Sequence, residues 1–329
     1  MKPFKFHSPE TPENALQLVD GNSQYLAGGT NQVDLMKKHI YEPNNIIDVK
    51  EALPKTIKSS QRGVTLAAMA TNAEVANRSF IKKNYPLITQ AILAGASPQI
   101  RNMATTAGNI MQRTRCPYFY DTSLPCNKRK PNSGCGALNG HQRMAGIIGT
   151  STRCVAVHPS DFCVALVALN AEVNFTNLDG TESTIAFEDF HRLPKNQPQK
   201  DTNLPEQALI TSVFIPKNNF ENRVAYVKIR ERDSYAFALI STAAALEMNN
   251  GIIEKARLAS GGVAHKPWRW KTSENFLKGK KANRANFVEA ARLAVKETQP
   301  LRHNTFKVPL LEGAITEALL QSSSKSPKI

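Results

Sequence analysis

Gln24-Tyr25-Leu26-Ala27-Gly28-Gly29-Thr30-Asn31-Gln32-Val33-Asp34 runs from a short β-prone triplet, across a glycine pair, into a segment that reads as a helix. Two adjacent glycines permit positive φ and let backbone amides approach an anion with no Cβ in the way. The helix that follows adds partial positive charge at its first turn. The stretch has what a phosphate cradle needs, although a bare strand-turn-helix junction would use the same residues.

Outward from this turn, residues 1–55 read as a small α/β unit, with helices at 11–18 and 33–39 and a further strand at 46–49. A strand at 64–67 precedes Thr71-Asn72-Ala73-Glu74, a capping-box signature that predicts a helix to about residue 80. A helix is expected at 86–94, then a polar, glycine-containing stretch at 101–109. About forty residues with little periodicity follow. Regular structure returns with an apolar helix at 161–170, strands at 172–177 and 183–187 around an Asp179-Gly180 turn, and a strand at 209–215 closed by Pro216. The linker at 216–222 places a domain boundary near residue 218. Beyond it, 223–229 and 252–258 read as strands and 286–297 as an amphipathic helix. The apolar run 236–248 fits either helix or strand, and 321–329 reads as a frayed tail.

The 329 residues are 41% hydrophobic, enough for two or three cored domains. No apolar run is long enough to span a bilayer, and the opening MKPFKFHSPE lacks the apolar stretch of a signal peptide. On this reading the chain carries no export address of its own and is expected to stay in the cytoplasm. Its 42 basic and 27 acidic residues give a net charge of +15. The basic residues fall in short groups, Lys37-Lys38, 128–130, 228–232 and Lys280-Lys281, and no RNP, KH or helix-turn-helix pattern accompanies them. Solvated surface, an anionic cofactor or an acidic partner subunit accounts for the excess as well as a nucleic acid does.

Four of the five cysteines lie in the aperiodic stretch, spaced Cys-x9-Cys-x8-Cys-x18-Cys among Arg113, Arg115, Lys128, Arg129 and Lys130. Such clustering points to metal or disulfides, and a reducing compartment disfavours disulfides. The fifth, Cys163, falls in an apolar helix and reads as a small buried hydrophobe.

Two more segments carry chemistry. Thr105-Thr106-Ala107-Gly108-Asn109 offers hydroxyls, an amide and a glycine to a pyrophosphate, or simply forms a hydrogen-bonded loop. His158-Pro159-Ser160-Asp161 places Asp161 at a helix start, where Ser160 or Asp161 would also serve as a plain cap. In chain order, the glycine turn, these two loops and Lys228-Ile229-Arg230-Glu231-Arg232-Asp233 resemble the FAD-binding medium subunit of the xanthine dehydrogenase and molybdenum hydroxylase family. Gly261-Gly262-Val263-Ala264-His265-Lys266-Pro267-Trp268-Arg269 resembles that family's C-terminal domain.

The resemblance implies an α+β fold. A two-lobed FAD-binding domain of the vanillyl-alcohol-oxidase (PCMH) type would cover 1–217, with lobes 1–55 and 56–217 and an insertion at about 113–155. A smaller C-terminal α+β domain of the CO dehydrogenase flavoprotein type would cover 218–329. It implies that Ala27, Gly28, Gly29, Thr30, Asn31, Gln32, Val33 and Asp34, with Thr105, Gly108 and Asn109, hold the FAD pyrophosphate and adjoining groups. Asp161 would bond a polar part of FAD and Lys228 would lie near the flavin. His265, Trp268 and Trp270 read as structural.

The cysteine insertion resembles a subset of the family, the FAD subunits of bacterial periplasmic aldehyde oxidoreductases, in which Arg-Cys-Pro-Tyr-Phe-Tyr-Asp, Pro-Cys-Asn-Lys-Arg, Ser-Gly-Cys and a later cysteine surround a [4Fe-4S] cluster. The matching ligands are Cys116, Cys126, Cys135 and Cys154. Four thiolates flanked by cations suit a cubane, whereas zinc ribbons favour Cys-x2-Cys knuckles that are absent here. The implied role is electron transfer with no catalytic residue on this chain, beside a molybdenum-cofactor large subunit, a [2Fe-2S] small subunit and an external acceptor, with aldehydes as substrate class. A self-sufficient flavin dehydrogenase with structural zinc, and a basic nucleic-acid-binding protein with a four-cysteine metal site, are the competing readings.

Overall fold

The glycine turn lies inside the first of three sheets. In a computed structural model, which describes residues 1–220 and 222–324, strands β1 (Lys5–His7), β2 (Ser23–Leu26) and β3 (Asn45–Asp48) form a parallel sheet of order β1-β3-β2. Parallel strands need crossover connections, here supplied by α1 (Pro12–Leu18) and α2 (Gln32–Lys37). Thr11 caps α1 by accepting from Asn14 N–H, and Pro12 occupies the first turn, where a missing N–H costs nothing.

A second sheet follows: β4 (Ile57–Ser60), β5 (Gly63–Ala67), β6 (Glu172–Thr176), β7 (Glu182–Ala186) and β8 (Leu209–Pro216), antiparallel in the order β4-β5-β8-β6-β7. Between β5 and β6 the chain builds α3 (Asn72–Asn77), α4 (Ser79–Asn84), α5 (Pro86–Ala94), α6 (Pro98–Met103), α7 (Thr106–Ile110), α8 (Pro117–Tyr120), α9 (Gly136–Asn139) and α10 (Asp161–Ala168); α11 (Phe187–Phe190) follows β7. The Thr71–Glu74 capping box forms in both directions, Glu74 N–H to Thr71 Oγ1 and Thr71 N–H to Glu74 Oε2. The helix expected to run to residue 80 instead breaks at Arg78, whose ψ of 120° ends α3 before α4 begins. The polar stretch 101–109 contains the end of α6 and most of α7; each helix has a hydroxyl cap, Ser97 and Thr105, that the composition of the stretch obscures.

The third sheet, antiparallel in the order β12-β11-β10-β9, comprises β9 (Val224–Ile229), β10 (Ile240–Asn249), β11 (Ile252–Gly261) and β12 (Trp268–Arg269). Its outer face is covered by α12 (Lys271–Leu277), α13 (Arg284–Lys296) and α14 (Lys307–Ser323). The ambiguous run 236–248 is mostly β10. Ala243 and Ala245 point into the core shared with Val164 and Leu87, whereas Ile240, Ala244 and Leu246 point to Phe287, Leu311 and Ile315 on the other side. A strand buried on both faces loses the polar alternation that identifies strands. All eight residues of α10 are buried, because it lies between α5 and the third sheet.

The expected α+β architecture therefore holds. Beyond residue 218 two helices were not foreseen, α12 and the 17-residue α14, whose Pro309 and Gly313 interrupt the helical pattern; before it the short helices α6, α7, α8, α9 and α11 were not foreseen either. Gln321 to Ser323, assigned to a frayed tail, complete α14; residues 325–329 lie outside the described residues. Among the described residues no helix is long and apolar enough to cross a membrane.

Candidate functional site

Three loops converge on one cleft. In the first, between β2 and α2, Gly29 has φ +71° and is the turn's left-handed residue. Gly28 has no space for a side chain: an added Cβ would run into the Met103 carbonyl, with Met103 C at 2.8 Å and Ala104 Cα at 3.2 Å. The glycine pair thus divides its work, one residue supplying the turn and the other a backbone-to-backbone approach to the end of α6. Asn31 stands at the N-cap of α2 without capping it. Its amide donates to Tyr120 Oη at 3.1 Å and its Oδ1 accepts from Arg113 N–H at 2.9 Å, which ties the turn to the cysteine insertion.

The second loop is anchored to the segment that follows β5 by Thr106, whose N–H and Oγ1 both donate to Ala70 O. Thr105 Oγ1 accepts from Gly108 N–H at 3.2 Å, so this hydroxyl caps α7. Asn109 Oδ1 accepts from Gln112 Nε2 at 3.0 Å and from Ser160 Oγ at 2.5 Å, joining the second loop to the third. Ser160 also caps α10 by accepting from Cys163 N–H.

Asp161, at the first position of α10, accepts from Tyr226 Oη at 2.8 Å and from Lys228 Nζ at 2.8 Å. The ion pair is almost inaccessible, with Lys228 and Asp161 side chains 5% and 8% exposed. Lys228 Nζ donates further to Ala94 O, which Arg230 also reaches. Burial, then the adjacent carboxylate, pushes the Tyr226 hydroxyl well above the usual tyrosine range. Removing either member of a buried pair strands the other without compensation.

Between the three loops lies a cavity of about 890 Å³, within the range of large ligand sites. Thr30, Asn31, Asp34, Gly108, Asn109, Asp161 and Lys228 line it; Ala27, Gly28, Gly29, Gln32, Val33 and Thr105 do not. Sequence reasoning missed several lining residues, among them Gly95, Arg101, Tyr235, Phe237 and Ser241. Other lining residues did lie in motifs without being assigned to the site: His158 and Ser160 beside Asp161, Glu231 and Arg232 beside Lys228, and Gly261-Gly262 in the stretch resembling the family's C-terminal domain. Arg115 also lines the cavity, with its guanidinium 5.1 Å from the Phe237 ring.

The four clustered cysteines share a second, much smaller void. Cys116 precedes α8; Cys126 and Cys135 face each other across an antiparallel bridge; Cys154 pairs with Ser151. Arg129 Nη1 donates to Tyr118 O and Phe119 O, fastening the Cys126 loop onto α8. Cys116 lines both the void and the large cleft, so the two spaces adjoin. Burial pushes the Cys116 thiol up to about 11 and the Cys154 thiol up to about 12, with the neighbouring cysteines adding to each. Without a coordinated cation these sulfurs stay protonated.

A single zinc ion holds sulfurs at 2.3 Å, hence about 3.8 Å from one another. The four sulfurs are not drawn in that tightly: among the described residues the one trio of ligand atoms within 4.8 Å is His158, Cys163 and His191. That trio is arranged by hydrogen bonds rather than as a ligand set. Ser160 N–H donates to His158 Nδ1, leaving the proton on Nε2, while His191 Nε2 meets Ile110 O, leaving a lone pair on Nδ1. Cys163 itself is fully buried in α10, as its apolar neighbours implied. His265 Nδ1 and Trp270 Nε1 are buried and bonded to Arg192 O and Ser260 Oγ, in keeping with structural roles.

Lys307 borders the cleft from behind. It is fully buried, with Nζ donating to Ala145 O at 3.0 Å and Gly262 O at 2.8 Å. Burial, with Arg143 adding to it, lowers its pKa from 10.5 to about 7. Between those values the unfolded chain holds more protons at this position than the folded one, so its contribution to stability rises with pH and is lost as pH falls toward 7. Melting curves of wild type and Lys307→Met across that window are expected to diverge in favour of wild type as pH increases. Parallel pH profiles would show that Lys307 titrates normally.

Residues 2–218 match the family described as the FAD binding domain in molybdopterin dehydrogenase, and residues 225–322 match the CO dehydrogenase flavoprotein C-terminal domain. The chain is 39% identical to the aldehyde oxidoreductase FAD-binding subunit PaoB of Escherichia coli K12, over 99% of this chain and all of that protein. It is 26% identical to the glyceraldehyde dehydrogenase medium chain of Sulfolobus acidocaldarius, over 85% of this chain and 83% of that one. The crystal structure of quinoline 2-oxidoreductase from Pseudomonas putida 86 contains a chain that superimposes with a TM-score of 0.76 at 18% identity, covering 99% of both chains, a likeness of fold.

Proposed function

Because the chain belongs to the FAD-binding medium subunits of the molybdenum hydroxylase family, we propose that it is the FAD- and [4Fe-4S]-carrying electron-transfer subunit of a molybdenum-dependent aldehyde oxidoreductase. It would act beside a molybdenum-cofactor large subunit and a [2Fe-2S] small subunit, delivering electrons to an external acceptor. We assign it to the cytoplasm or, by co-export with a partner, to the periplasm.

The cleft suits a dinucleotide. Its volume is adequate, the turn that carries Thr30, Asn31 and Asp34 to it is seated on α6 at Gly28, and Arg101, Arg115 and Lys228 bring positive charge to its wall. On this reading Thr30, Asn31, Asp34, Gly108 and Asn109 contact FAD directly. Ala27, Gly28, Gly29, Gln32, Val33 and Thr105 shape the loops behind them. Asp161 fixes Lys228 at the wall. FAD, when bound, exchanges electrons singly or in pairs, which suits a junction between one-electron centres and a two-electron acceptor. The division at 217/218 into a two-lobed FAD domain and a C-terminal domain is supported by the separate third sheet and its own helical layer.

The single observation that carries the cluster assignment is the convergence of Cys116, Cys126, Cys135 and Cys154 on one void that adjoins the cleft. A four-thiolate iron-sulfur cluster exchanges single electrons, at a potential set by nearby charge and hydrogen bonds. Protein purified anaerobically is expected to show flavin bands over a broad cluster absorbance, with about four irons per flavin. Flavin with zinc and no iron would leave a flavoprotein with a structural metal and overturn the cluster assignment.

A further inference from the structure

Two basic residues of the cysteine insertion, Lys128 and Arg113, are not free surface charge. Lys128, whose side chain is 1% exposed, lines the four-cysteine void and donates through Nζ to Pro198 O at 2.9 Å and to Asp201 Oδ1. Arg113 Nε donates to the other carboxylate oxygen, Asp201 Oδ2, at 2.6 Å. Arg113 is in turn bound through its backbone N–H to Asn31 of the glycine turn, and its guanidinium lies 4.8 Å from the ring of Phe119, which lines the void.

Asp201 therefore bridges the two cations while standing 73 residues from one and 88 from the other. Beyond it, His265 Nε2 lies 3.9 Å from Oδ1 and has no hydrogen-bond partner. Burial alone would raise the Asp201 carboxyl, but Lys128 and Arg113 outweigh it and hold the group well below the usual carboxylate range. Burial, then Lys128, lowers His265 to about 3, so the histidine adds no charge. At neutral pH the cluster of groups is two cations and one anion.

We infer that Asp201 is a positioning residue for the four-cysteine centre: its carboxylate fixes Lys128 at the wall of the void and offsets one of the two cations it joins, and so governs how readily the centre accepts an electron. The inference rests on the iron-sulfur reading of the void. The physical reason is that reduction adds negative charge to a partly desolvated centre, where a neighbouring unit charge is screened far less than in water. Removing Asp201's charge leaves the wall more positive and favours the reduced state; removing that of Lys128 does the reverse.

The test uses the full chain purified anaerobically with its prosthetic groups, followed by redox titration under electron paramagnetic resonance. Asp201→Asn is expected to shift the centre's midpoint potential upward and Lys128→Gln downward. The double variant restores the net charge and is expected to return close to wild type, and Asp201→Glu to remain there. Iron retained with no shift, both single variants shifting the same way, or a double variant that adds rather than cancels would each overturn the inference. Where Asp201→Asn purifies without iron, the sign for Lys128→Gln decides: a fall supports the inference and no change sinks it. Wild-type protein lacking iron would fail earlier, at the cluster reading itself, and iron analysis of the same sample separates the two failures.

Discussion

Gly28→Ala is expected to reduce FAD occupancy at least about tenfold, a loss of roughly 1.4 kcal/mol or more in binding. The added methyl has no flexible neighbour to displace: it meets the Met103 carbonyl and the Ala104 backbone, so the whole turn must move away from α6. Overpacking against rigid surroundings typically costs about 1–3 kcal/mol. Because the same turn carries Thr30, Asn31 and Asp34 into the cleft, the displacement reaches the binding wall directly. The flavin-to-protein absorbance ratio of purified protein, with FAD titration of the stripped protein, reads the effect. Gly21, with no atom within 4 Å of its added Cβ, gives the control substitution. Gly29→Ala should be intermediate, since its neighbours are side-chain atoms at 3.3 Å and the remaining cost is the left-handed φ. Equal occupancy in Gly28→Ala and wild type would remove the turn from the cofactor site.

The second large effect concerns the void. Replacing any one of Cys116, Cys126, Cys135 or Cys154 with Ser is expected to deplete most of the iron, because a hard, weakly acidic hydroxyl does not replace a thiolate on iron. Flavin content should fall least for Cys126→Ser, Cys135→Ser and Cys154→Ser, whose side chains do not line the cleft, and most for Cys116→Ser, which borders both spaces. Cys163→Ser should keep its iron yet lose about 1–3 kcal/mol of stability, because a hydroxyl is placed in a fully buried position. Colorimetric iron and sulfide analysis beside denaturant unfolding separates the two outcomes. Iron loss in Cys163→Ser equal to the others would refute the ligand set.

These variants show how unevenly the site was legible. The glycine pair announced a turn, but nothing in Gly28-Gly29 says which residue supplies the positive φ and which one lacks space; Met103, which decides the second point, is far away in the chain. Asp161 was legible as a residue at a helix start because its cap, Ser160, is its neighbour. Its pairing with Lys228, 67 residues on, was not. Arg113 and Lys128 were visible as basic residues around cysteines, and the carboxylate that binds both was invisible, since Asp201 lies in a loop with no periodicity. The run 236–248 was unreadable for a different reason, a strand enclosed on both faces having no polar side to betray its period.

What the sequence by itself determined is the set of interactions closed within a few residues: the caps at Thr11, Thr71 and Ser160, the turn at Gly29, the order of the loops and the spacing of the cysteines. Such interactions depend on local dihedrals and neighbouring donors, which residue types encode directly. Only the tertiary structure decided that the three loops enclose one cleft, that the cysteines meet in a void beside it, and that Asp201 joins Lys128 at the wall of that void to Arg113. Those contacts join residues tens of positions apart, and their distances are set by the packing of α10 between α5 and the third sheet, and of the cysteine insertion onto the glycine turn.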